Sequence, residues 1–457
     1  MQSNTHKQLS RRTLLHRSAG LSAGLAISGS GLTAAVVAPS ANAAQDKTVL
    51  RLQNWFSDAD IDNWMIGIDM VKEMHPDIEV ELEFVPYGET VTRTLVSATA
   101  GDLPDLIMAS NQHTPTLSTS GMLLDLNPFI EQDGDVNPDD FATGVAQGFN
   151  MWGRWWGFPY DVTTFAIYYN KDMFDAAGVS YPPSSGTPWT WDEFVEAAKA
   201  LTKPDGEQWG VWMSGDFAWD QYRNSNFIYS AGGRNFDDQG RKCIIASPES
   251  AAGIQFLVDL IHTHKVAPTP AETAGGDVDY FASGLAAMKV DGQFALGQTG
   301  QTADFPFDIG YLPLGPEKRV VTGGSGFTIS ARTEQPEASW RWLKAFTNTE
   351  VLGAMVGSTG RGIPARISAT DTYVNAAVDV ENAGVFVEQL DYAFNDRSVL
   401  GYTEFEAAYN RLLEPIFNSG EGDIMQALTE VQELTNVVLD EQWAEVEIDI
   451  DLATPAS

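Results

Sequence analysis

The chain has 457 residues, of which 62 are acidic and 27 are basic, so its formal net charge at pH 7 is -35. This length suits two domains, and 43% apolar residues are enough to form buried cores, so the charge does not indicate disorder. The acidity argues against binding nucleic acids or anionic membrane surfaces, and the single cysteine excludes an intramolecular disulfide and a cysteine-based metal site.

Residues 1–43 have the composition of a cleaved export signal. They contain four basic residues and no acidic ones, and a small-residue-rich apolar run leads to the cleavage pattern Ala41-Asn42-Ala43. The pair Arg11-Arg12 and the residues after it resemble a twin-arginine signal, with an ordinary secretory signal as the alternative.

The mature chain is expected to be a periplasmic or extracellular protein without a membrane anchor. The apolar run of the signal is only weakly hydrophobic, and no other stretch is long and apolar enough to span a bilayer. No cysteine lies near the cleavage site, which argues against a lipoprotein. Removal of the signal leaves 62 acidic and 23 basic residues, a net charge of -39.

Strand and helix patterns alternate at the start of the mature chain. A buried strand is predicted over Thr48–Asn54, and apolar residues at helical spacing follow over 61–74. Residues 78–84 alternate apolar side chains with glutamates, which indicates a half-exposed strand. A helix over about 88–99 then leads to a short buried strand at 105–108. This order indicates a parallel α/β lobe with right-handed crossovers.

Three later helices are predicted from the residues that begin them. Thr190 and Glu193 have the spacing of a capping box, in which each side chain satisfies a backbone N–H of the other residue. Ser247-Pro248 and Pro336 have the pattern of helix starts with proline in the first turn. From about residue 403 the chain is expected to be mainly helical.

Eight short motifs occur in order over about 300 residues. Examples are His-Pro-Asp-Ile-Glu-Val at 75–80 and Trp-Thr-Trp-Asp-Glu-Phe at 189–194. Through these motifs the chain resembles the family of extracellular solute-binding proteins of ABC-type sugar importers, which includes maltose-binding protein. The motifs lie at 75–80, 100–106, 157–161, 168–174, 178–194, 281–292, 323–326 and 362–365.

The resemblance implies a type II two-lobe α/β fold, in which crossing strands join the lobes and the ligand binds in the cleft between them. The implied lobes are an N-terminal lobe at 44–160 plus 313–333 and a C-terminal lobe at 161–312 plus 334–457. The implied crossings lie near 159–165 and 309–314, with a third near 331–335.

The resemblance also implies a function. The protein is expected to bind a mono- or oligosaccharide and to deliver it to the transmembrane subunits of an ABC permease. It is expected to be a monomer without catalytic residues, cofactor, metal or nucleic-acid partner. A receptor of the same fold for glycerol phosphate or a polyamine is the first alternative, and a secreted glycoside hydrolase is a more distant one.

The cleft of a sugar receptor needs flat aromatic surfaces for the sugar faces and polar groups for the hydroxyls. Such residues are expected in the loops that follow the strands, because open α/β sheets bind ligands at the carboxyl ends of their strands. Each aromatic has packing in the core as its alternative role, and each acid has simple solvation. The candidates are Trp55, Asp58, Ser110, Asn111, Gln112, Tyr160, Asp161, Trp219, Asp220, Tyr222, Arg223, Phe294, Gly324, Ser325 and Arg361.

Overall fold

The computed structural model describes residues 47–56, 61–213, 220–273, 278–376, 380–395 and 398–446. The expected export signal and the candidates Asp58 and Trp219 therefore lie outside the described residues. The strands are β1 (Thr48–Asn54), β2 (Ile78–Phe84), β3 (Leu106–Ser110), β4 (Asn150–Met151), β5 (Arg154–Trp155), β6 (Gly157–Pro159), β7 (Asp161–Val162), β8 (Phe165–Asn170), β9 (Trp212–Met213), β10 (Met288–Gly292), β11 (Phe307–Gly310), β12 (Val320–Val321), β13 (Ser325–Ile329), β14 (Ile363–Pro364) and β15 (Ala393–Phe394).

Helices make up most of the remaining regular structure. The α-helices are α1 (Ile61–Met74), α2 (Thr90–Ala100), α3 (Thr114–Thr119), α4 (Asn127–Asp133), α5 (Thr143–Ala146), α6 (Lys171–Ala177), α7 (Trp191–Leu201), α8 (Gln221–Ser230), α9 (Pro248–His262), α10 (Pro270–Thr273), α11 (Leu296–Thr302), α12 (Pro336–Phe346), α13 (Thr349–Leu352), α14 (Thr370–Val374), α15 (Gly384–Glu388), α16 (Tyr402–Ser419) and α17 (Ile424–Glu445). A π-helical turn covers Gly353–Gly357, and 3-10 turns cover Tyr87–Glu89, Pro138–Asp140, Pro204–Gly206, Gln293–Ala295, Ile367–Ala369 and Gln389–Tyr392.

The first sheet has five strands in the order β2-β1-β3-β13-β6. β1 is parallel to β2 and β3, whereas β13 is antiparallel to β3 and β6. Leu52, Leu106 and Phe327 are fully buried in its core, and helices α1 and α12 pack against it. The predicted succession from β1 to β3 is confirmed. The sheet is mixed, whereas a parallel lobe was predicted. The prediction missed the antiparallel strand because periodicity reveals a strand but not its direction.

The second sheet has four strands in the order β11-β8-β10-β9. β8 is antiparallel to both neighbours, and β9 is parallel to β10. All six residues of β8 are buried, and its alternate side chains enter two different apolar clusters. Ile167 and Tyr169 pack with the core under helix α9, while Ala166 and Tyr168 face the opposite side of the sheet.

The predicted helix starts of α7 and α9 are confirmed. Thr190 Oγ1 accepts the N–H of Glu193 at 3.3 Å, and the Glu193 carboxylate accepts the N–H of Thr190 at 2.8 Å. Ser247 Oγ likewise accepts the N–H of Ser250 at 3.1 Å. The last part of the described chain is helical, as predicted, with α16 packed against α17. Among the helices in the described ranges, none has the length and apolarity needed to cross a membrane.

The chain passes between the two sheets more than once. It leaves the first sheet after β6 and enters the second at β8 by way of β7. It returns from β11 through β12 to β13. This return lies later than the predicted crossing at 309–314, because Leu312 and Val320 are buried in the core of the second lobe.

Helix α12 lies in the first lobe, although residues from 334 onward were expected in the second. It packs against β1, β13 and α1, and Trp342 is 1% exposed there. The predicted third crossing near 331–335 is therefore wrong. The apolar stripe of α12 shows that the helix is buried, but it does not show which sheet the helix covers. The remaining lobe boundaries stay a prediction.

Candidate ligand-binding site

A cavity of about 430 Å³ lies between the two sheets, and we call it the interlobe cavity. Twelve of the fifteen candidate residues line it. The first lobe and the crossing segments contribute Trp55, Ser110, Gln112, Tyr160, Asp161, Gly324, Ser325 and Arg361. The second lobe contributes Asp220, Tyr222, Arg223 and Phe294.

The first-lobe wall is built at the carboxyl ends of β1, β2 and β3. The Trp55 ring stands edge-on to the Tyr87 ring at 5.2 Å and to the His113 ring at 6.1 Å between centroids. The Tyr87 hydroxyl lies 3.3 Å from Ser110 Oγ, within hydrogen-bond distance. Because parallel strands end at one edge of a sheet, three separate loops meet here and hold an aromatic surface next to hydroxyl groups.

Gln112 adds a buried polar group to this wall. Its side chain is 6% exposed, and Oε1 forms no hydrogen bond with any residue of the described ranges. Buried polar atoms usually have a partner, since desolvating an acceptor without one costs about 1–3 kcal/mol. Gln112 Oε1 is therefore available to accept a hydrogen bond from a bound molecule.

The second-lobe wall is organised around Arg223. Asp220 caps helix α8 by accepting the N–H of Tyr222 at 2.9 Å, and it also accepts a hydrogen bond from the Arg223 guanidinium. Arg223 Nη2 donates to Asp291 Oδ1 at 3.4 Å. Burial disfavours the charge, but Asp291 and Asp220 outweigh it and raise the pKa of Arg223. The guanidinium also lies 5.6 Å from the ring centroid of Phe294.

Phe294 and Tyr222 supply the aromatic surface of this wall. Both rings stand edge-on to the buried Phe165, at 6.1 and 5.1 Å between centroids. Phe165 begins β8, and Phe294 lies two residues after the end of β10, so neighbouring strands fix their separation. Phe294 remains 45% exposed, which leaves much of its surface open to a bound molecule.

The floor of the cavity is Asp161, on the first crossing segment. Its Oδ1 accepts the N–H of Ser325 at 2.8 Å, and its Oδ2 lies 3.8 Å from Arg361 Nη1. The Arg361 guanidinium is stacked on aromatic rings, 4.6 Å from the Trp64 ring and 5.4 Å from the Tyr160 ring. Burial raises the pKa of Asp161 to about 6, and Arg361 and the Ser325 N–H limit the rise.

Gly324 lets the crossing segments approach each other. A Cβ atom at this position would lie 2.3 Å from the backbone oxygen of Asp161 and 2.7 Å from Val145. No side chain fits at that distance, so glycine permits the contact that brings the Ser325 N–H to the carboxylate.

Three of the fifteen candidates are not among the described residues that line the cavity. Asp58 and Trp219 lie outside the described residues. Asn111 was expected to face the ligand, but it is fully buried behind the cavity. Its Oδ1 accepts the N–H of Gly324 at 3.3 Å and its own N–H donates to the Gly324 oxygen at 3.0 Å, so it holds this segment in place.

Tyr87, Thr163 and Glu406 also line the cavity and were missed. Tyr87 follows the carboxyl end of β2, so the rule that selected Trp55 could have found it. Thr163 lies two residues beyond Asp161 in extended chain and faces the same side. Glu406 lies on α16, and nothing in its local sequence indicates that α16 reaches the cavity.

Residues 59–352 match the model of the family described as bacterial extracellular solute-binding protein. The chain belongs to this family. A maltotriose-binding protein of Pyrococcus abyssi is 27% identical to this solute-binding protein over 290 residues, which cover 61% of this chain and 58% of that protein. The chain spans about half the length of the curated relatives that it matches.

Solved structures share the fold of this solute-binding protein. An ABC substrate-binding protein of Listeria monocytogenes in complex with cycloalternan has a TM-score of 0.78 and 23% identity, covering 86% of this chain and 100% of that one. UgpB of Mycobacterium tuberculosis in complex with glycerophosphocholine has a TM-score of 0.74 and 22% identity, covering 87% and 100%. The predicted two-lobe α/β fold is confirmed.

The charges in the cavity of this solute-binding protein are largely balanced within it. Each of the two lining guanidiniums lies beside a carboxylate, Arg223 with Asp220 and Asp291, and Arg361 with Asp161. No lysine occurs among the described residues that line the cavity, and the described chain holds no cluster of three or more His, Cys, Asp or Glu side chains suited to a metal ion. The cavity therefore presents hydrogen-bonding groups and aromatic surfaces rather than a site of strong positive charge.

Proposed function

We propose that this protein is the substrate-binding component of an ABC importer, and that it binds a mono- or oligosaccharide in the interlobe cavity and delivers it to the transmembrane subunits of a permease. The observation that carries the proposal is the pair of facing walls. Trp55 and Tyr87 present aromatic surface from one lobe, and Tyr222 and Phe294 present it from the other. Such walls suit the apolar faces of sugar rings.

The polar groups of the cavity suit sugar hydroxyls. Asp161 offers carboxylate oxygens that accept hydrogen bonds, Gln112 Oε1 is a buried acceptor, and Ser110 and Ser325 offer hydroxyls. A hydroxyl both donates and accepts, so one sugar ring can satisfy several of these groups at once. Sugar binding would thus compensate the desolvation of Gln112.

A phosphate ester is a weaker candidate. It would need guanidinium donors, but those of Arg223 and Arg361 lie against Asp220, Asp291 and Asp161. A phosphate would have to displace these carboxylates or share their donors with them, and the carboxylates would repel it. The glycerol-phosphate alternative therefore remains the hypothesis against which the sugar proposal is tested.

We also propose the cellular setting that the sequence indicates. Residues 1–43 are removed as a twin-arginine signal, and the mature protein acts as a free monomer in the periplasm or outside the cell. It is not a lipoprotein, and it has no catalytic activity. The lobes keep the boundaries given above, except that the chain returns to the first lobe after Val321 and that helix α12 belongs to the first lobe. The support for this setting is the composition of the signal and the family membership of the chain.

A ligand panel tests the proposed function. Melting temperatures of the purified mature protein are measured with mono- and oligosaccharides, with glycerol phosphate esters and with polyamines. Binding to the folded state raises the melting temperature. We expect shifts with one or more saccharides, followed by a calorimetric Kd near the micromolar range, or about -8 kcal/mol. A shift with a phosphate ester and none with any saccharide would refute the sugar proposal.

A further inference from the structure

A second cavity, of about 640 Å³, lies on the other side of the crossing segments. We call it the rear cavity; the residues that matter for its chemistry are Thr143, Val162, Thr322, Asp371, Asp391 and Phe394. Val162 lines the rear cavity, whereas its neighbours Asp161 and Thr163 line the interlobe cavity. Because side chains of extended chain alternate between faces, the two cavities lie on opposite sides of this segment.

The other crossing segments also take part in both cavities. On one of these segments Thr322 lines the rear cavity and Ser325 lines the interlobe cavity. On another, Pro364 lines the rear cavity and Arg361 lines the interlobe cavity. These segments are joined to β7, since β14 pairs with it and Thr163 bridges to Gly323. A molecule in either cavity therefore presses on the same three segments from its own side.

The rear cavity has walls from both lobes. Thr143 lies on α5, which packs against β6 and β7, while Phe394 lies on β15, which pairs with β12 and packs edge-on to Tyr229 at 5.2 Å. Asn395 Nδ2 donates to the backbone oxygen of Gly144 at 2.9 Å and ties the walls together. Rotation of the lobes about the crossing segments moves the walls of the two cavities in opposite senses.

The lining chemistry selects the kind of ligand. Asp371 and Asp391 provide carboxylates, neither of which forms an ion pair with any residue in the described ranges, and no lysine or arginine occurs among the described lining residues. Thr143 adds a hydroxyl, and Phe394 adds apolar surface. The two carboxylates attract a positive charge and accept hydrogen bonds, and Phe394 covers a short hydrocarbon chain although the Arg234 and Arg319 guanidiniums also lie over its ring, at 4.7 and 5.5 Å.

Thr322 provides an independent sign of a ligand. Its side chain is completely buried in the cavity wall, and Oγ1 forms no hydrogen bond within the described part of the chain. A buried hydroxyl without a partner is uncommon in folded proteins. Gln112 Oε1 is in the same situation in the interlobe cavity, so both cavities contain a buried oxygen atom that a ligand would satisfy.

We propose that the rear cavity is a second binding site, for a small organic cation with at least two hydrogen-bond donors, such as an aliphatic diamine or a hydroxylated amine. Its ammonium groups bind the carboxylates of Asp371 and Asp391, and a donor reaches Thr322 Oγ1. A cation that bridges the walls holds them at their present separation. It therefore opposes the rotation that narrows the interlobe cavity, and weakens saccharide binding there.

Direct titration tests the site without any saccharide. Putrescine is titrated calorimetrically into the ligand-free mature protein at 150 mM NaCl, beside glycerol as the uncharged probe. We expect saturable putrescine binding that Asp391→Asn weakens about tenfold or more, the effect of losing a charged hydrogen bond. Asp440→Asn is the matched control, because it makes the same charge change at an exposed position on α17 and should leave binding unchanged.

The outcomes separate the site from general attraction to an acidic protein. No saturable binding, or equal loss in both aspartate variants, would overturn the proposed site. Binding of glycerol in place of putrescine would overturn the assigned charge. Thr322→Val keeps the shape of the side chain and removes only the hydroxyl. We expect this variant to bind putrescine more weakly, and it tests the site even if Asp391→Asn does not fold.

The coupling is tested separately and rests on the proposed sugar-binding function. Saccharide affinity is measured with and without saturating putrescine, and we expect it to be about fivefold weaker with putrescine. Putrescine binding that leaves saccharide affinity unchanged would overturn the coupling. Because the direct titration contains no sugar, failure of the sugar proposal and failure of the rear site are distinguishable.

Discussion

The proposed site predicts that saccharide affinity depends on the ionisation of Asp161. Burial raises the pKa of this carboxyl to about 6 in the ligand-free protein. The ionised carboxylate accepts hydrogen bonds from sugar hydroxyls through both oxygens, whereas the protonated form loses part of that capacity. At pH 5 only about one molecule in eleven has the ionised group, so binding that requires it weakens about tenfold, or ~1.4 kcal/mol, relative to pH 7.5.

Calorimetric titration of one neutral saccharide between pH 4.5 and pH 8 checks this prediction. We expect a constant Kd above pH 7 and a progressive rise in Kd as the pH falls through 6. Asp161→Asn should bind more weakly at pH 7.5 and should lack the pH dependence. A Kd that stays flat from pH 5 to pH 7.5, or an unchanged pH profile in Asp161→Asn, would refute the assignment of this carboxylate to the ligand.

The same pKa shift acts on stability with the opposite sign. The folded protein holds the Asp161 proton more tightly than the unfolded chain does, in which the pKa is near the ordinary value of 3.8. The resulting contribution to the free energy of unfolding is complete below pH 3.8 and is lost as the pH rises through about 6. The ionised form of Asp161, which binds the ligand, thus predominates in the pH range where this residue stabilises the fold least.

Three further substitutions test the site and the fold. Phe294→Ala should weaken saccharide binding by about 1–3 kcal/mol in calorimetry, while Phe84→Ala, at an exposed position outside the cavity, should not; equal affinity in both variants would place the ligand elsewhere. Gly324→Ala should lower the free energy of unfolding by about 1–3 kcal/mol because of the backbone clash at 2.3 Å, whereas Gly88→Ala has free space and should change little in urea denaturation. Thr190→Ala removes the capping box of α7 and should cost about 1 kcal/mol in the same denaturation measurement, and an unchanged midpoint would contradict the capping argument.

Several elements of both lobes could be predicted because their signals are local. The alternating glutamates of β2 and the capping residue Thr190 act within a few positions of the chain, and they are present as predicted. The loops of the interlobe cavity could be located by one rule, since ligands bind at the carboxyl ends of strands. That rule selected Trp55 and Ser110, which line the same cavity.

The errors concern contacts between distant parts of the chain. Asn111 follows β3 directly, as a ligand-binding residue would, but Gly324 approaches it from 213 residues away and engages its side chain. Glu406 reaches the cavity from a helix near the end of the described chain. The apolar face of α12 did not reveal which lobe it covers. Local periodicity shows which face of a segment is buried, but it does not identify the element that this face packs against.

The pairing of β3 with β13 has a consequence for synthesis of the protein. β3 pairs with β1 on one side and with β13 on the other. β13 begins at Ser325, more than 200 residues after Ser110. At about 5–20 residues per second, translation of that interval takes roughly 10–40 s. During this time β3, whose five residues are all buried in the finished sheet, lacks its neighbour on one side, and an unpaired apolar strand edge is a site of aggregation. The nascent chain is therefore most vulnerable before Ile329 has emerged, and a chaperone that covers this edge would act in that interval.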